Sequence, residues 1–184
     1  MIMSREKRVR TVYLVRHAEC EDNAAGLIAR DDSPLTEAGM VRAADIKETF
    51  SRGHGAQVAC SPLLRARQTL DGDVDMRLRE IDTPLKGRPV AELDADEWIA
   101  HPDCVQAEDA GAVADRGADA ISSADEVVVS HRAVLVLGAL RLMGVPLRRF
   151  ADVDMPPGHV LSLHLYERDD QERWELGGSA WLKP

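Results

Sequence analysis

Three short apolar runs, separated by helical patterns, constrain the fold of this chain most strongly. They are TVYLV at 11–15, AQVAC at 56–60 and EVVVS at 126–130, and none of them alternates strictly between polar and apolar residues. A strand buried on both faces has this pattern, because neither side of its sheet meets water. The order strand, helix, strand, helix predicts an α/β fold: a three-layer sandwich whose mostly parallel central sheet is flanked by helices.

The helical segments between and after these runs carry clear start and stop signals. LTEAGMVRAADIKETFSRG offers Thr36 as N-cap and ends at Gly53, and SPLLRARQTLDG offers Ser61 as N-cap and ends at Gly72. HRAVLVLGALRLMGVP predicts a mostly buried helix that ends at Gly144. A helix N-terminus therefore follows each predicted strand.

The length and composition fit one domain. The chain has 184 residues, 45% of them hydrophobic, which is enough apolar surface for a substantial core. We expect residues 1–10 to be a flexible basic N-terminus and residues 11–184 to form a single domain. The acidic, Ala-rich stretch 82–125 predicts a small insertion of helices and loops, and the alternating run 159–167 predicts a late strand near a sheet edge.

The charge of the chain argues against nucleic acid and membranes as partners. Lys and Arg number 23 against 32 Asp and Glu, so the net charge is −9 and polyanions are not attracted over long range. No signal peptide is evident, and no apolar run approaches the roughly 20 residues of a membrane-spanning helix. Three cysteines, an odd number without metal-ligand spacing, fit a reducing compartment. We expect a cytoplasmic protein with a small-molecule partner, and its oligomeric state stays open.

Cationic and imidazole side chains follow all three predicted strands. Arg16 and His17 follow the first strand, Ser61 and Arg65 the second, and His131 the third. The carboxyl ends of parallel strands meet at one edge of the sheet, where ligands of open α/β sheets bind. Arginines, imidazoles and the N–H groups of helix N-termini together predict an anion site, and phosphate is the leading candidate.

Two histidines at one edge also raise the alternative of a zinc site. Zinc usually takes a third protein ligand and is repelled by neighbouring arginines, so we expect no metal. Among the other histidines, His54, His101 and His164 are interpreted as loop, turn and strand-face residues. His159, at the mouth of the last strand, is a weaker candidate for the pocket rim.

Five motifs together resemble a known family. In chain order they are LVRHAECEDN, SPLTEAG, ACSPLLRARQT, LREI and VVSHRAVL. An isolated Arg-His pair is weak evidence, whereas five ordered motifs at compatible spacing are strong. The set resembles the histidine phosphatase superfamily, with its phosphoglycerate-mutase-like fold. The resemblance covers about 11–145 and the final strand.

The resemblance implies a role for each matching residue. His17 would be the nucleophile, and Glu80 occupies the position of the family's proton donor. His131 would be both a catalytic and a phosphate-binding residue. The phosphate pocket would combine side chains from all three strand ends and the first loop: Arg16, Asn23, Arg65 and His131.

Two residues depart from the usual family pattern. Ala18 stands where glycine most often follows Arg-His, which leaves the catalytic assignment unchanged. Arg132 stands where Ser-His is usually followed by glycine. Its side chain could either contact the substrate or point to solvent, and we retain it as a candidate substrate contact.

The residues and the resemblance together predict a phosphomonoesterase of the histidine acid phosphatase type, acting on a small metabolite. A neutral imidazole attacks phosphorus to form a phosphohistidine, which water then hydrolyses, and neither step needs a cofactor. Three alternatives stay open: phosphoglycerate-mutase-like phosphotransfer, a protein phosphohistidine phosphatase and a non-catalytic module that binds a phosphate ligand.

Overall fold

The computed structural model of the protein describes residues 7–51, 56–92, 108–168 and 171–177. These residues form a central sheet with helices on both faces. The strands are β1 (Lys7–Arg16), β2 (Val58–Cys60), β3 (Asp73–Val74), β4 (Val127–Ser130), β5 (Val160–Arg168) and β6 (Gln171–Gly177). The α-helices are α1 (Glu21–Ala24), α2 (Glu37–Ser51), α3 (Leu64–Thr69), α4 (Ala110–Ser123) and α5 (Arg132–Leu142), with short 3₁₀ turns at 76–78, 90–92 and 147–152.

The six described strands are ordered β3-β2-β4-β1-β5-β6. The first four run parallel, whereas β5 and β6 are antiparallel to their neighbours. The prediction of a mostly parallel central sheet is confirmed. The run at 159–167 forms β5 as expected, although the edge position belongs to β6, which the sequence analysis did not predict.

The core lies on both faces of this sheet. All four residues of β4 are buried, as expected for an apolar run without alternation. On one face α4 and α5 pack together over Val12, Leu14 and Val128. On the other face Ile46 of α2 and Ala66 of α3 pack against the side chains of β1, β2 and β4 that point to that side of the sheet. This arrangement confirms the three-layer sandwich.

The stretch 82–125 differs from the predicted insertion in its C-terminal part. Residues 110–123 form α4, whose side chains Val113 and Ile121 are fully buried in the main core. The helix is the crossover that precedes β4 and is part of the sandwich. Residues 93–107, which hold His101, lie outside the described residues.

Two predicted boundaries were wrong. Residues 7–10 are not a flexible terminus, because backbone pairing with β5 extends β1 back to Lys7 although the side chains of residues 7–9 are exposed. α3 begins at Leu64 with Leu63 as N-cap, so Ser61 does not cap it. By contrast, Thr36 caps α2, since its hydroxyl accepts the Gly39 N–H at 2.9 Å. Residues 1–6 and residues 52–55, which include the predicted helix end Gly53, lie outside the described residues.

Within the described ranges, no helix combines the length and the apolar character needed to cross a membrane.

A pair of glycines sets the distance between α4 and α5. A β-carbon on Gly138 would lie 2.7 Å from the Gly117 carbonyl carbon and 2.9 Å from the Ala118 nitrogen, too close for any real contact. The helices can approach this closely because neither position carries a side chain.

We therefore predict that Gly138→Ala destabilises the protein by about 1–3 kcal/mol, because overpacking outweighs the gain in helix propensity. Urea unfolding followed by circular dichroism measures the change. The reverse exchange Ala44→Gly, at an exposed position of α2, measures the effect of helix propensity alone. It should destabilise the protein by about 1 kcal/mol, the amount by which propensity favours alanine at position 138. A Gly138→Ala protein as stable as the wild type would contradict the close packing.

Candidate active site

The carboxyl ends of β1, β2 and β4 bring the predicted site residues together. Arg16 pairs with Ser130 in the parallel register, and the His17 N–H continues the ladder by donating to the Ser130 carbonyl at 2.9 Å. The His17 and His131 rings lie 5.1 Å apart, centre to centre. Arg65 reaches the same point from α3, so the juxtaposition expected from the sequence is present.

His17 is held in one tautomer. Its Nδ1 lies 2.7 Å from the Ala18 carbonyl oxygen, which can only accept, so Nδ1 carries the proton. Arg65 Nε lies 3.2 Å from His17 Nε2 and can only donate, so Nε2 carries a lone pair. Burial, followed by the charges of Arg65 and Arg16, holds the pKa of His17 well below its usual value. The imidazole is therefore neutral, with Nε2 available as a nucleophile.

Thr69 fixes the peptide that orients this imidazole. Its hydroxyl accepts the Ala18 N–H at 2.8 Å and donates to the Arg65 carbonyl at 2.7 Å. The Ala18 carbonyl on the same residue holds His17 Nδ1. Thr69 thus ties the loop after β1 to the helix that carries Arg65. Thr69 was not among the predicted site residues, although its i+4 spacing from Arg65 places the two on one helix face.

Buried donors without partners surround His17. Arg16 donates through Nη1 to the Met155 carbonyl at 2.6 Å, and Arg65 through Nη1 to the Arg30 carbonyl at 2.7 Å. The remaining atoms Arg16 Nε, Arg65 Nη2 and His131 Nδ1 are buried and lack a hydrogen-bond partner. Such groups are rare in folded proteins and mark sites that a ligand completes. Three unpartnered donors, two of them on guanidinium groups, fit an anion.

The pKa of Arg16 reflects this desolvated setting. Burial lowers it to about 10, with smaller opposing and reinforcing effects from the nearby charges of Glu80 and Arg132. Arg16 keeps its positive charge at neutral pH. An anion that enters the site meets a cation from which water has been removed, which strengthens their attraction.

Ser61 contacts His131 and does not serve as a helix cap. Its hydroxyl lies 2.8 Å from His131 Nε2, and the Leu63 N–H approaches the same oxygen at 3.4 Å. We infer that the Ser61 hydroxyl donates to Nε2, because a proton on His131 Nδ1 would then face the Glu80 carboxylate. His131 then carries its own proton on Nδ1, which is the unpartnered atom and lies 3.7 Å from Glu80 Oε2.

Glu80 is desolvated beside these cations. Burial raises its pKa above the usual value, although Arg65, the Ile81 N–H and Arg16 all oppose the shift. Its Oε1 accepts the Ile81 N–H at 3.0 Å, and the side chain remains 20% exposed, toward the cavity that it lines. A carboxyl group with a raised pKa can hold a proton at a pH where an exposed glutamate cannot.

A cavity of about 270 Å³ opens over His17. Arg16, Asn23 and Glu80 line it, whereas Arg65 and His131 lie fully buried behind His17. Asn23 Oδ1 is buried and has no hydrogen-bond partner, and the predicted contact of Asn23 with phosphate or substrate stays a prediction. The site thus has a charged floor and an open mouth.

Arg132 and His159 had uncertain positions in the sequence. Arg132 lines the cavity, donates to the Val153 carbonyl at 2.8 Å and stacks over the Phe150 ring with its guanidinium carbon 4.2 Å from the centroid. The His159 side chain is exposed and does not line the cavity, and its main-chain carbonyl accepts the Arg16 N–H at 3.0 Å. The structure therefore places Arg132 at the site and the His159 imidazole outside it.

Metal binding finds no support in the described part of the chain, where no three His, Cys, Asp or Glu side chains come close enough to share an ion.

A family model, that of the histidine phosphatase superfamily (branch 1), matches residues 12–176. The chain belongs to this superfamily. A probable phosphoglycerate mutase of Proteus mirabilis is 37% identical over 97 residues, which are 47% of this chain and 45% of that protein. The match thus spans less than half the length of this curated relative.

Solved structures of two proteins that are named as phosphatases share the fold. A mycobacterial glucosyl-3-phosphoglycerate phosphatase superposes with a TM-score of 0.77 at 20% identity, over 92% of this chain and 98% of that one. A phosphoserine phosphatase from Entamoeba histolytica superposes with a TM-score of 0.77 at 18% identity, over 95% of this chain and 97% of that one. The fold of this member of the superfamily is therefore phosphoglycerate-mutase-like.

We predict that His17 stays neutral through the pH range in which an exposed histidine becomes protonated, because burial and two arginines lower its pKa. Arg65→Gln removes one of these charges and should raise the pKa of His17. Arg67→Gln changes an equally charged residue of the same helix, which is exposed and paired with Asp71, and should leave the pKa unchanged. NMR titration of the imidazole signals measures all three proteins. A wild-type midpoint near 6.5 would refute the prediction.

We predict that the Nδ1–H tautomer of His131 depends on Ser61. Imidazole ¹⁵N shifts should show the proton on Nδ1 in the wild type and a mixture of tautomers in Ser61→Ala. The loss of one buried hydrogen bond at the site should lower kcat/KM about tenfold. Ser122→Ala on α4 is the control, and a wild-type His131 protonated on Nε2 would overturn the assignment.

Proposed function

We propose that the protein hydrolyses phosphate monoesters of small metabolites through a phosphohistidine at His17. One observation carries the proposal: a buried imidazole is held with its Nε2 lone pair against Arg65, among donors that lack partners. The proposed nucleophile therefore lies next to the proposed anion site. The proposed partner is a small-molecule phosphate ester, and none of the steps below uses a cofactor.

The first half-reaction transfers the phosphoryl group to His17. The Nε2 lone pair forms a bond to phosphorus while the bond from phosphorus to the ester oxygen breaks. Glu80, whose raised pKa favours the protonated form, gives its proton to the departing oxygen, so the product leaves as a neutral alcohol. The Ala18 carbonyl stabilises the positive imidazole ring by accepting Nδ1–H.

The second half-reaction returns the enzyme to its starting state. A water molecule attacks phosphorus, and the Glu80 carboxylate accepts the water proton. The bond from phosphorus to Nε2 breaks, inorganic phosphate leaves, and His17 is neutral again. Glu80 is protonated and ready for the next ester.

The unpartnered donors stabilise the charge on the transferring group. Arg16 Nε, Arg65 Nη2 and His131 Nδ1 are fixed by other contacts of their side chains, so they need no reorganisation when the phosphoryl oxygens arrive. Preorganised donors in a dry site are among the strongest contributors to catalysis.

Phosphoglycerate-mutase-like phosphotransfer is the second candidate, and it is supported by the Proteus mirabilis relative. A mutase must keep water from the phosphohistidine while its substrate reorients. Hydrolysis is favoured here because Glu80, the proposed base for water, lines the cavity with 20% of its side chain exposed, where a water molecule can reach it. The neighbours named as phosphatases agree with this choice.

We predict that Glu80→Gln separates the two half-reactions. With alkyl phosphates, whose leaving oxygen needs a proton, kcat/KM should fall about 10²- to 10⁴-fold. With p-nitrophenyl phosphate the leaving group needs no proton, so the first turnover should stay fast and be followed by slow release of phosphate. Stopped-flow absorbance would record this burst.

The control is Glu126→Gln, an exposed carboxylate before β4, which should behave like the wild type. An equal loss on both substrates without a burst would contradict the role of Glu80. Isomerised product with little free phosphate would instead favour the mutase. Absence of turnover on every monoester would leave a binding module, and turnover of phosphohistidine peptides alone would favour a protein phosphatase.

A further inference from the structure

Two chain segments close one side of the cavity above the phosphate site. Residues 26–30 and 85–90, called the cap here, run side by side and exchange main-chain hydrogen bonds. The Val90 N–H donates to the Gly26 carbonyl at 2.8 Å, and Ile28 donates to the Arg88 carbonyl at 2.9 Å. Arg65, which contacts His17 Nε2, anchors the cap by donating to the Arg30 carbonyl at 2.7 Å. The cap is thus fixed relative to His17.

The side chains that the cap turns to the cavity are apolar, with the exception of Lys86. Its first segment contributes Leu27, Ile28 and Ala29, and its second contributes Val90. Ile81 and Ala133 continue this surface on the neighbouring wall, beside Glu80 and Arg132 in the sequence: the described apolar lining is Leu27, Ile28, Ala29, Ile81, Val90 and Ala133. Beyond the phosphate site the cavity is therefore lined by these six apolar residues together with three polar ones, Thr83, Lys86 and Arg132.

The charged groups close to the cap are engaged within the protein. Asp31 lies 2.7 Å from Arg79 and 2.9 Å from Lys86, and Lys86 also lies 3.0 Å from Asp82. Two carboxylates thus balance two cations. Arg132 donates hydrogen bonds to main-chain carbonyls and stacks on Phe150. The Lys86 charge is offset by two carboxylates, and the Arg132 guanidinium is already engaged by carbonyls and a ring, so a second anionic group of a substrate gains less there than it would from cations without such contacts.

We infer that the ester group of the substrate is compact and apolar, a short alkyl or aryl alcohol, and that it is bound by the cap. The inference rests on the proposed phosphatase function and names the substrate class of the same site. An alkyl or aryl group loses its water shell against the cap, which is favourable. A polyol or sugar in the same place would lose hydrogen bonds to water that the apolar lining does not replace. The reaction is hydrolysis of the ester to the alcohol and inorganic phosphate.

A series of linear alkyl phosphates from methyl to hexyl tests the inference, because the basicity of the leaving alcohol changes little along it. We expect kcat/KM to rise about fourfold for each added methylene until the cavity is filled. Glycerol phosphate, which matches propyl phosphate in its carbon chain but carries two hydroxyl groups, should react more slowly than propyl phosphate. A flat series, or a preference for glycerol phosphate, overturns the inference.

A pair of isosteric variants connects the slope to the cap. Val90→Thr replaces a methyl group by a hydroxyl at a residue that is 52% exposed, and it should lower the hexyl-to-methyl ratio of kcat/KM several-fold. Val41→Thr makes the same change on α2, at a residue that is 63% exposed and does not line the cavity, and should leave the ratio as in the wild type. Equal hexyl-to-methyl ratios of kcat/KM in the two variants would contradict the proposal that the cap binds the ester group.

Binding of alkylphosphonates separates this inference from the proposed function, since these compounds cannot be hydrolysed. If affinity rises from methyl- to hexylphosphonate while no ester is hydrolysed, the substrate class of the site stands and the phosphatase proposal fails. If esters are hydrolysed and neither series depends on chain length, the phosphatase proposal stands and the apolar substrate class fails.

Discussion

The contact between Arg65 Nε and His17 Nε2, at 3.2 Å, is the interaction on which the site depends. A guanidinium that donates to an imidazole nitrogen requires that nitrogen to be unprotonated, and the Ala18 carbonyl secures the proton on the other side of the ring. The contact exists because β1 and β2 flank β4 in a parallel register, so the loops after them meet at one edge. Thr69 then ties the His17 loop to the Arg65 helix.

The site is kept at a cost to stability. Buried donors without partners and neutral, desolvated histidines are unfavourable in a folded protein. The rest of the structure offsets this cost with a β4 that is buried throughout and with close packing of α4 on α5. An incoming phosphate ester would supply acceptors for these donors. Such a site is expected where function and local stability conflict.

Much of this could be predicted from the sequence, because buried parallel strands are apolar throughout and their carboxyl ends must meet. The parallel strands of the sheet, the buried helix α5 and the grouping of Arg16, His17, Arg65 and His131 followed from that rule. The edge strands β3 and β6 did not, since they are short or polar and exist through pairing with neighbours. Ser61 was assigned to a helix cap because local sequence cannot reveal a partner 70 positions away. The cap over the cavity likewise depends on contacts between distant segments.

Covalent labelling of His17 tests the account most directly. Rapid mixing with a ³²P-labelled monoester, a quench in base and peptide mapping should place acid-labile, base-stable phosphate on His17 within one turnover. The label should be absent in His17→Ala and should persist longest in Glu80→Gln, in which the general base for water is missing. Rapid hydrolysis by the wild type without any label on His17, or hydrolysis retained in His17→Ala, would contradict the central claim that the neutral His17 imidazole is the nucleophile.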